Sequence, residues 1–201
     1  DFMRADIPDL VKEAIEGATR AKKIVQDLRD FSRIDKQDKS TFDLEAGIDA
    51  TLNIVNNEIK YKAEVVKEYA GVKPFVCVGS QINQVILNLI VNAAHAIADK
   101  YGDGATGKGT ITVSTKSDGD GVEVRVSDTG TGIPEKHRAR MFTPFFTTKG
   151  VGKGTGQGLA IAYNVITKKH GGTIRFETET GQGTTFIIRL PGSETQTRKE
   201  S

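Results

Sequence analysis

The sequence predicts an α+β layered sandwich preceded by one long amphipathic helix, and three features predict it. Two pairs of alternating runs, TITVSTK (110–116) with GVEVRVS (121–127) and TIRFETE (173–179) with TTFIIRL (184–190), have the period of half-buried strands. Segments of helical period lie before and between them, at 44–61, 80–100 and 158–172. Helices grouped around hairpins imply helices layered on a sheet.

Taken in order, the apolar or small residues Ile7, Leu10, Ala14, Gly17, Ala21, Ile24, Leu28 and Phe31 recur at steps of three and four. This is a heptad seam, which expects a partner helix; Val11, Ile15, Ala18 and Val25 widen it towards a bundle. The polar run DKQDKST (35–41) reads as a linker into a second unit. There LEAGIDATLNIVNNEIKY is helical, while AEVVKEY and KPFVCV are strand-like. Helix returns from Ser80 to Lys100, with Gln81, Ile82, Val85, Ile86, Leu89, Ile90 and Ala93 at helical spacing. The turn SDGDG joins the next two strands, and GLAIAYNVITKKHGG is a helix closed by glycine before the last hairpin. The tail, residues 193–201, is polar.

Bulk properties exclude several classes. The 201 residues are 37% hydrophobic, enough for a core, and 28 Lys and Arg against 26 Asp and Glu leave a net charge of +2. That balance lacks a basic footprint, so nucleic acid is not an expected partner. The single Cys, Cys77, excludes an internal disulfide, suits a reducing, cytoplasmic compartment and reads as a buried strand residue. No apolar run approaches the ~20 residues of a membrane span, and no signal-peptide pattern opens the chain. The chain begins without Met and runs almost directly into a helix, so a piece of a longer protein, whose other parts could anchor it to a membrane, is the expectation.

Glycine is enriched, 22 residues in all. A Walker pattern fails in GVGKGTGQG (150–158), because Gly154 rather than Ser or Thr follows Lys153. The G-x-G-x-x-G at Gly102, Gly104 and Gly107 follows a helix and precedes a strand, the reverse of the dinucleotide-binding context. More telling is DTGTGIP (128–134), directly after a strand: Asp128 lands at the strand end, where a carboxylate can accept from an exocyclic amine such as that of adenine. Gly130 and Gly132 permit unusual φ angles and close approach of a ligand. GTGQGLAIAYN is a glycine loop entering a helix, a setting suited to a polyphosphate. Within NLIVNAAHA (88–96), Asn88 and Asn92 stack on one helix face, with His95 beside them.

Together these pieces resemble the ATP-binding domain of sensor histidine kinases, in the GHKL (Bergerat-fold) superfamily shared with gyrase B, heat-shock chaperones of the ninety-kilodalton class and mismatch-repair ATPases. The ordered landmarks are an N box (NLIVNAAHA), a first glycine box (DTGTGIP), an F box (FTPFFTTK), a second glycine box (GTGQGLAIA) and a closing GQGTTF, covering residues 41–192. The helix containing IVQDLRDFSR resembles the second helix of the dimerisation and phosphotransfer domain, making residues 1–40 part of that domain plus a linker. The resemblance implies a two-layer α/β sandwich with a mixed sheet.

It also implies roles. Asn92 would coordinate Mg²⁺ through its amide oxygen, with Asn88 at the metal-facing edge and His95 near the phosphates of ATP. Asp128 would select adenine, Gly130, Gly132 and Ile133 would shape the base pocket, and Thr184 would support Asp128. Gly154, Thr155, Gly156, Gln157, Gly158 and Leu159 would close over the nucleotide. The lid would run from Phe142 to Thr155, with Thr147, Thr148 and Lys149 reaching phosphate oxygens; packing is the plainer role for Phe142, Phe145 and Phe146.

ATPases and serine kinases of the superfamily place a Glu base four residues before the metal-binding Asn. Here that position is Asn88, which cannot accept a proton, so fast hydrolysis is disfavoured and a histidine kinase favoured. The three histidines, His95, His137 and His170, do not match the family's phosphoacceptor, which is expected on a helix outside this chain; His137 and His170 read as surface residues. A homodimer through the N-terminal helix and a response regulator receiver domain are the expected partners. A regulatory ATP-binding module, a dimerisation scaffold and an ATPase are the alternatives.

Overall fold

The computed structural model describes residues 39–102, 108–148 and 155–192. The expectations for the heptad helix, the tail, Gly104, Gly107, Lys149 and Gly154 lie outside these residues.

The chain enters through β1 (Ser40–Phe42), then α1 (Leu44–Ile54), α2 (Asn56–Ile59), β2 (Ala63–Glu68), β3 (Phe75–Cys77) and the long α3 (Gly79–Tyr101). The hairpin of β4 (Gly109–Asp118) and β5 (Gly121–Asp128) leads to the short α4 (Glu135–Arg138) and then α5 (Gly158–Asn164), which continues as a π-helical turn (Val165–Lys169). The hairpin of β6 (Thr173–Glu179) and β7 (Gly183–Leu190) closes the fold. Five strands form one mixed sheet in the order β2-β4-β5-β7-β6; only the β2–β4 pair is parallel. A separate ribbon pairs β1 with β3.

The strand alternation decides the faces. On β5, Val122, Val124 and Val126 point into the core and Asp128 occupies the next inward position. On β7 the same phase holds Thr184, Phe186, Ile188 and Leu190. Helix α3 meets this face with Ile82, Val85, Ile86, Leu89, Ile90, Ala93 and Ile97, all buried, and each fully buried Ile, Leu or Val contributes about 1.5–3 kcal/mol. Asp43 caps α1, its carboxylate accepting from the Ala46 N–H at 3.0 Å. As expected, Cys77 is buried, which pushes its thiol pKa up to about 11.

The outer face of the sheet is mostly polar, with Ile187 as a buried apolar exception. There Glu123, wholly buried, accepts from Arg125 (2.7 Å) and Arg189 (2.8 Å) and pairs with Lys116 (3.1 Å). Burial alone would raise its pKa, but the hydrogen bonds from Arg189, Arg125 and Lys116 prevail and hold it down to about 2.

His170 is not a surface residue, contrary to the sequence reading. It is 5% exposed: its Nε2 accepts the Val78 N–H at 3.3 Å, so the ring proton sits on Nδ1, 2.9 Å from the Val165 carbonyl oxygen. The helix through 158–169 is also not uniform. Its last turn widens to π, the His170 N–H reaching Val165 O at 3.1 Å, before Gly171 exits at φ +65°. His137, on α4, is half-buried, its ring 5.6 Å from that of Phe146.

Candidate functional site

The carboxyl end of β5 gathers the predicted residues. Asp128 stands opposite Ile111 on β4 and Thr184 on β7, and Thr184 stands opposite Thr178 on β6, so these four residues make one row across four strands. Asp128 is 7% exposed and its Oδ1 accepts the Gly130 N–H at 2.8 Å. Burial raises its pKa to about 6, against the opposing pull of the Gly130 and Thr184 backbone and of Lys100. A groove of about 370 Å³ opens beside Asp128, Thr178, Gly183 and Thr184. A more enclosed cavity, about 290 Å³, lies elsewhere, beside Lys39, Cys77 and His170.

The first glycine box is held from two sides. Towards α3, the Thr131 N–H donates to Ala96 O at 3.2 Å, and a Cβ on Gly130 would lie 2.6 Å from the Ala96 carbonyl carbon. Towards the β6–β7 turn, the Gly181 N–H donates to Thr131 O at 2.7 Å, and a Cβ on Gly132 would lie 2.1 Å from Glu179 O. Gly132 has the positive φ the sequence suggested, +67°; Gly130 does not, and owes its place to the close approach of the α3 backbone. Ile133 is buried and its N–H donates to the Thr178 hydroxyl at 2.9 Å.

Asn88, Asn92 and His95 are half-buried along one side of α3. Asn88 turns to the second glycine box: its Nδ2 donates to Gly158 O at 3.2 Å. Beside it, Gln157 is 7% exposed and its amide nitrogen has no hydrogen-bond partner among the described residues. A buried donor of this kind suits an anionic group such as a phosphate. Thr155 accepts the Gln157 N–H at 3.4 Å, and Leu159 packs against the core.

The F box is anchored as the aromatic reading expected, in part. Phe142 stacks with Tyr163 (5.3 Å) and Phe176 (5.9 Å), while Phe146 is covered by Arg140 at 4.6 Å. Phe145 is instead 65% exposed, with φ of +63°, a strained conformation for a side chain this large. Its backbone is the floor for Gly156, whose added Cβ would lie 2.5 Å from the Phe145 carbonyl carbon. Thr147 and Thr148 are exposed at the end of this described stretch.

Among the described residues no group of three His, Cys, Asp or Glu could cage a metal. The Asn92 amide oxygen is the kind of hard donor that could share Mg²⁺ with phosphate oxygens. Thr178 is the residue that sequence reading missed. Its signal was a hydroxyl at the third inward position of β6, after Ile174 and Phe176.

The family described as histidine kinase-, DNA gyrase B-, and HSP90-like ATPase matches residues 77–194. The sensor kinase CckA of Brucella abortus is 36% identical over 196 residues, covering 88% of this chain and 19% of the relative. The sensor histidine kinase ZraS of Escherichia coli is 40% identical over 111 residues, covering 55% and 22%. The chain therefore spans about a fifth of the length of these curated relatives. Among solved structures, the catalytic domain of histidine kinase ThkA superposes with a TM-score of 0.65 at 29% identity, covering 78% of this chain and 97% of that one. Another structure holds ThkA in complex with the response regulator protein TrrA, with a TM-score of 0.68 at 24% identity, covering 88% and 49%.

Proposed function

This chain belongs to the histidine kinase-, DNA gyrase B-, and HSP90-like ATPase family, and from that premise we propose that it is the ATP-binding catalytic part of a two-component sensor histidine kinase. The fold is that of histidine kinase catalytic domains. The observation that carries the reading is Asp128, a buried carboxylate at a strand end inside a glycine loop, with its pKa raised to about 6.

Asp128 accepts the exocyclic amine of adenine, and Ile133 closes the base pocket. The polyphosphate lies between α3 and the second glycine box, with Gln157 Nε2 as a donor and His95, Thr147 and Thr148 beside it. Asn92 would hold Mg²⁺ from the protein side, and the ion would supply charge neutralisation to the phosphates. An imidazole nitrogen on a helix outside this chain attacks the γ-phosphorus; the N–P bond forms as the P–O bond to ADP breaks. Asn88 supports transfer over hydrolysis, since an amide committed to the Gly158 carbonyl cannot take a proton from water. A receiver domain of a response regulator is the next acceptor, as suggested by the complex of ThkA with TrrA. The seam from Ile7 to Phe31 serves a homodimer of the longer, cytoplasmic-facing protein. No described helix is long and apolar enough to cross a membrane.

Calorimetric titration of this chain with Mg-ATP, beside Asp128→Ala and Asn92→Ala, tests the reading. Binding lost in Asp128→Ala, dependent on Mg²⁺ in wild type and followed by no sustained hydrolysis heat, is expected. Sustained heat would make the chain an ATPase, and absence of binding would leave a scaffold.

A further inference from the structure

Thr178 lies one strand beyond Thr184 and two beyond Asp128 in the row that crosses the sheet, and its hydroxyl has three polar neighbours. The Ile133 N–H is at 2.9 Å, the Gly183 carbonyl oxygen at 2.9 Å and the Thr184 hydroxyl at 3.0 Å. A hydroxyl offers one hydrogen and two lone pairs. The amide of Ile133 can only donate and the carbonyl of Gly183 can only accept, so Thr178 takes the first and gives its hydrogen to the second. One lone pair remains for Thr184, which must then be the donor in that pair.

The consequence falls on the residue beside Asp128. With its hydrogen committed to Thr178, the Thr184 hydroxyl has only lone pairs left for a ligand beside Asp128, its partner across the β5–β7 pair; both residues line a groove that Ser127, Glu177 and Thr185 also line. The ionised Asp128 carboxylate is likewise an acceptor. Two neighbouring acceptors match the exocyclic amine of adenine and oppose the carbonyl that guanine carries at the equivalent position.

We propose that Thr178 is a positioning residue that fixes Thr184 as a hydrogen-bond acceptor, so that the Thr178–Thr184–Asp128 row discriminates adenine from guanine nucleotides. The inference rests on the nucleotide-binding reading above and extends it to a residue that does not touch the base. The same hydroxyl holds Ile133, so it also sets one end of the first glycine box. The remaining ties of that box to the β6–β7 turn, from Gly181 to Thr131 and at Gly132 and Gly183, are made by the backbone and survive substitution of Thr178.

The test is calorimetric titration of the 201-residue chain with Mg-ATP and with Mg-GTP, for wild type, Thr178→Val and Thr178→Ser, with thermal melts of each. Thr178→Val frees the Thr184 hydrogen to face the ligand, so the ATP-over-GTP preference should fall about tenfold, the value of one hydrogen bond. Thr178→Ser keeps the hydroxyl and should keep the preference. Equal weakening of both nucleotides in Thr178→Val would mean a purely structural role and overturn the inference, as would an unchanged preference. Thr184→Val, which removes the acceptor itself, must give the same loss of preference and stands in should Thr178→Val not fold. Wild type that binds ATP yet shows no loss in any variant overturns this inference alone; wild type that binds no nucleotide overturns the nucleotide reading as well.

Discussion

The side-chain amide of Asn88 donates across 3.2 Å to the carbonyl oxygen of Gly158, fastening the middle of α3 to the first residue of α5. Helix α3 carries Asn92 and His95, and α5 begins within the second glycine box, so one hydrogen bond couples the two halves of the proposed phosphate side.

Replacing Asn88 by Glu therefore puts an ionised acceptor against a carbonyl acceptor. We expect Asn88→Ala to lower stability by about 1 kcal/mol and Asn88→Glu by about 1–3 kcal/mol, read from thermal melts at neutral pH. Nucleotide affinity should fall in both. A gain of steady ATP hydrolysis in Asn88→Glu would show that the carboxylate had found a productive position and that the strut is dispensable.

Asp128 gives a prediction with two signs. Its folded pKa, about 6, lies above the ordinary carboxylate value of 3.8, so its contribution to stability grows as pH falls and is lost as pH rises through 6. At pH 8 the buried charge costs the fold roughly 3 kcal/mol, and Asp128→Asn should melt higher than wild type by a comparable amount, the gap closing below pH ~4. Nucleotide binding runs the other way. ATP affinity of wild type should weaken as pH drops below about 6, while Asp128→Asn binds weakly at every pH.

His170 titrates with the opposite slope. Burial lowers its pKa, so the unfolded chain takes up a proton that the fold excludes, and stability is lost as pH falls below about 6.5. Protonation would also put a donor against the Val78 N–H. His170→Ala should lose about 2–3 kcal/mol at pH 7, and its loss between pH 7 and 5 should be flatter than that of wild type. Measuring the slope in the Asp128→Asn background separates the two groups. An equally steep slope in His170→Ala would place the acid sensitivity elsewhere.

Glu123 holds together the outer face of the sheet. Its pKa is held down to about 2, so its contribution is present above the ordinary value of 4.5 and disappears as pH falls from there towards 2. Glu123→Gln leaves Arg125 and Arg189 without their shared carboxylate. The midpoint of acid unfolding should move to higher pH, and the melting temperature should drop even at high salt, because the carboxylate is buried. A midpoint that does not move would mean that Arg189 is compensated through Asp118, 3.3 Å away.

Much of this molecule follows from short-range pattern. The alternation of GVEVRVSD places three valines and then Asp128 on one face of β5, and the spacing of Ile82, Val85, Ile86 and Leu89 gives α3 its buried side. The sequence alone determined the types of α1, α3, α5 and the strands β2 to β7, the buried Cys77, the end-of-strand position of Asp128 and the shared helix face of Asn88, Asn92 and His95. It read Ser40 and Thr41 as linker, where β1 forms by pairing with β3, and it did not foresee the short α4. Tertiary structure decided who meets whom. Local period fixes the face a side chain takes but not the strand or helix that comes to lie beside it. The row Ile111, Asp128, Thr184 and Thr178 draws on residues from four strands whose register is set by long-range pairing. For the same reason His170 reads as exposed in a polar stretch, KKHGG, yet is buried because the π turn and the amide of Val78 meet around it. Gly130 likewise looks like room for a ligand until the backbone of Ala96 comes to rest against it.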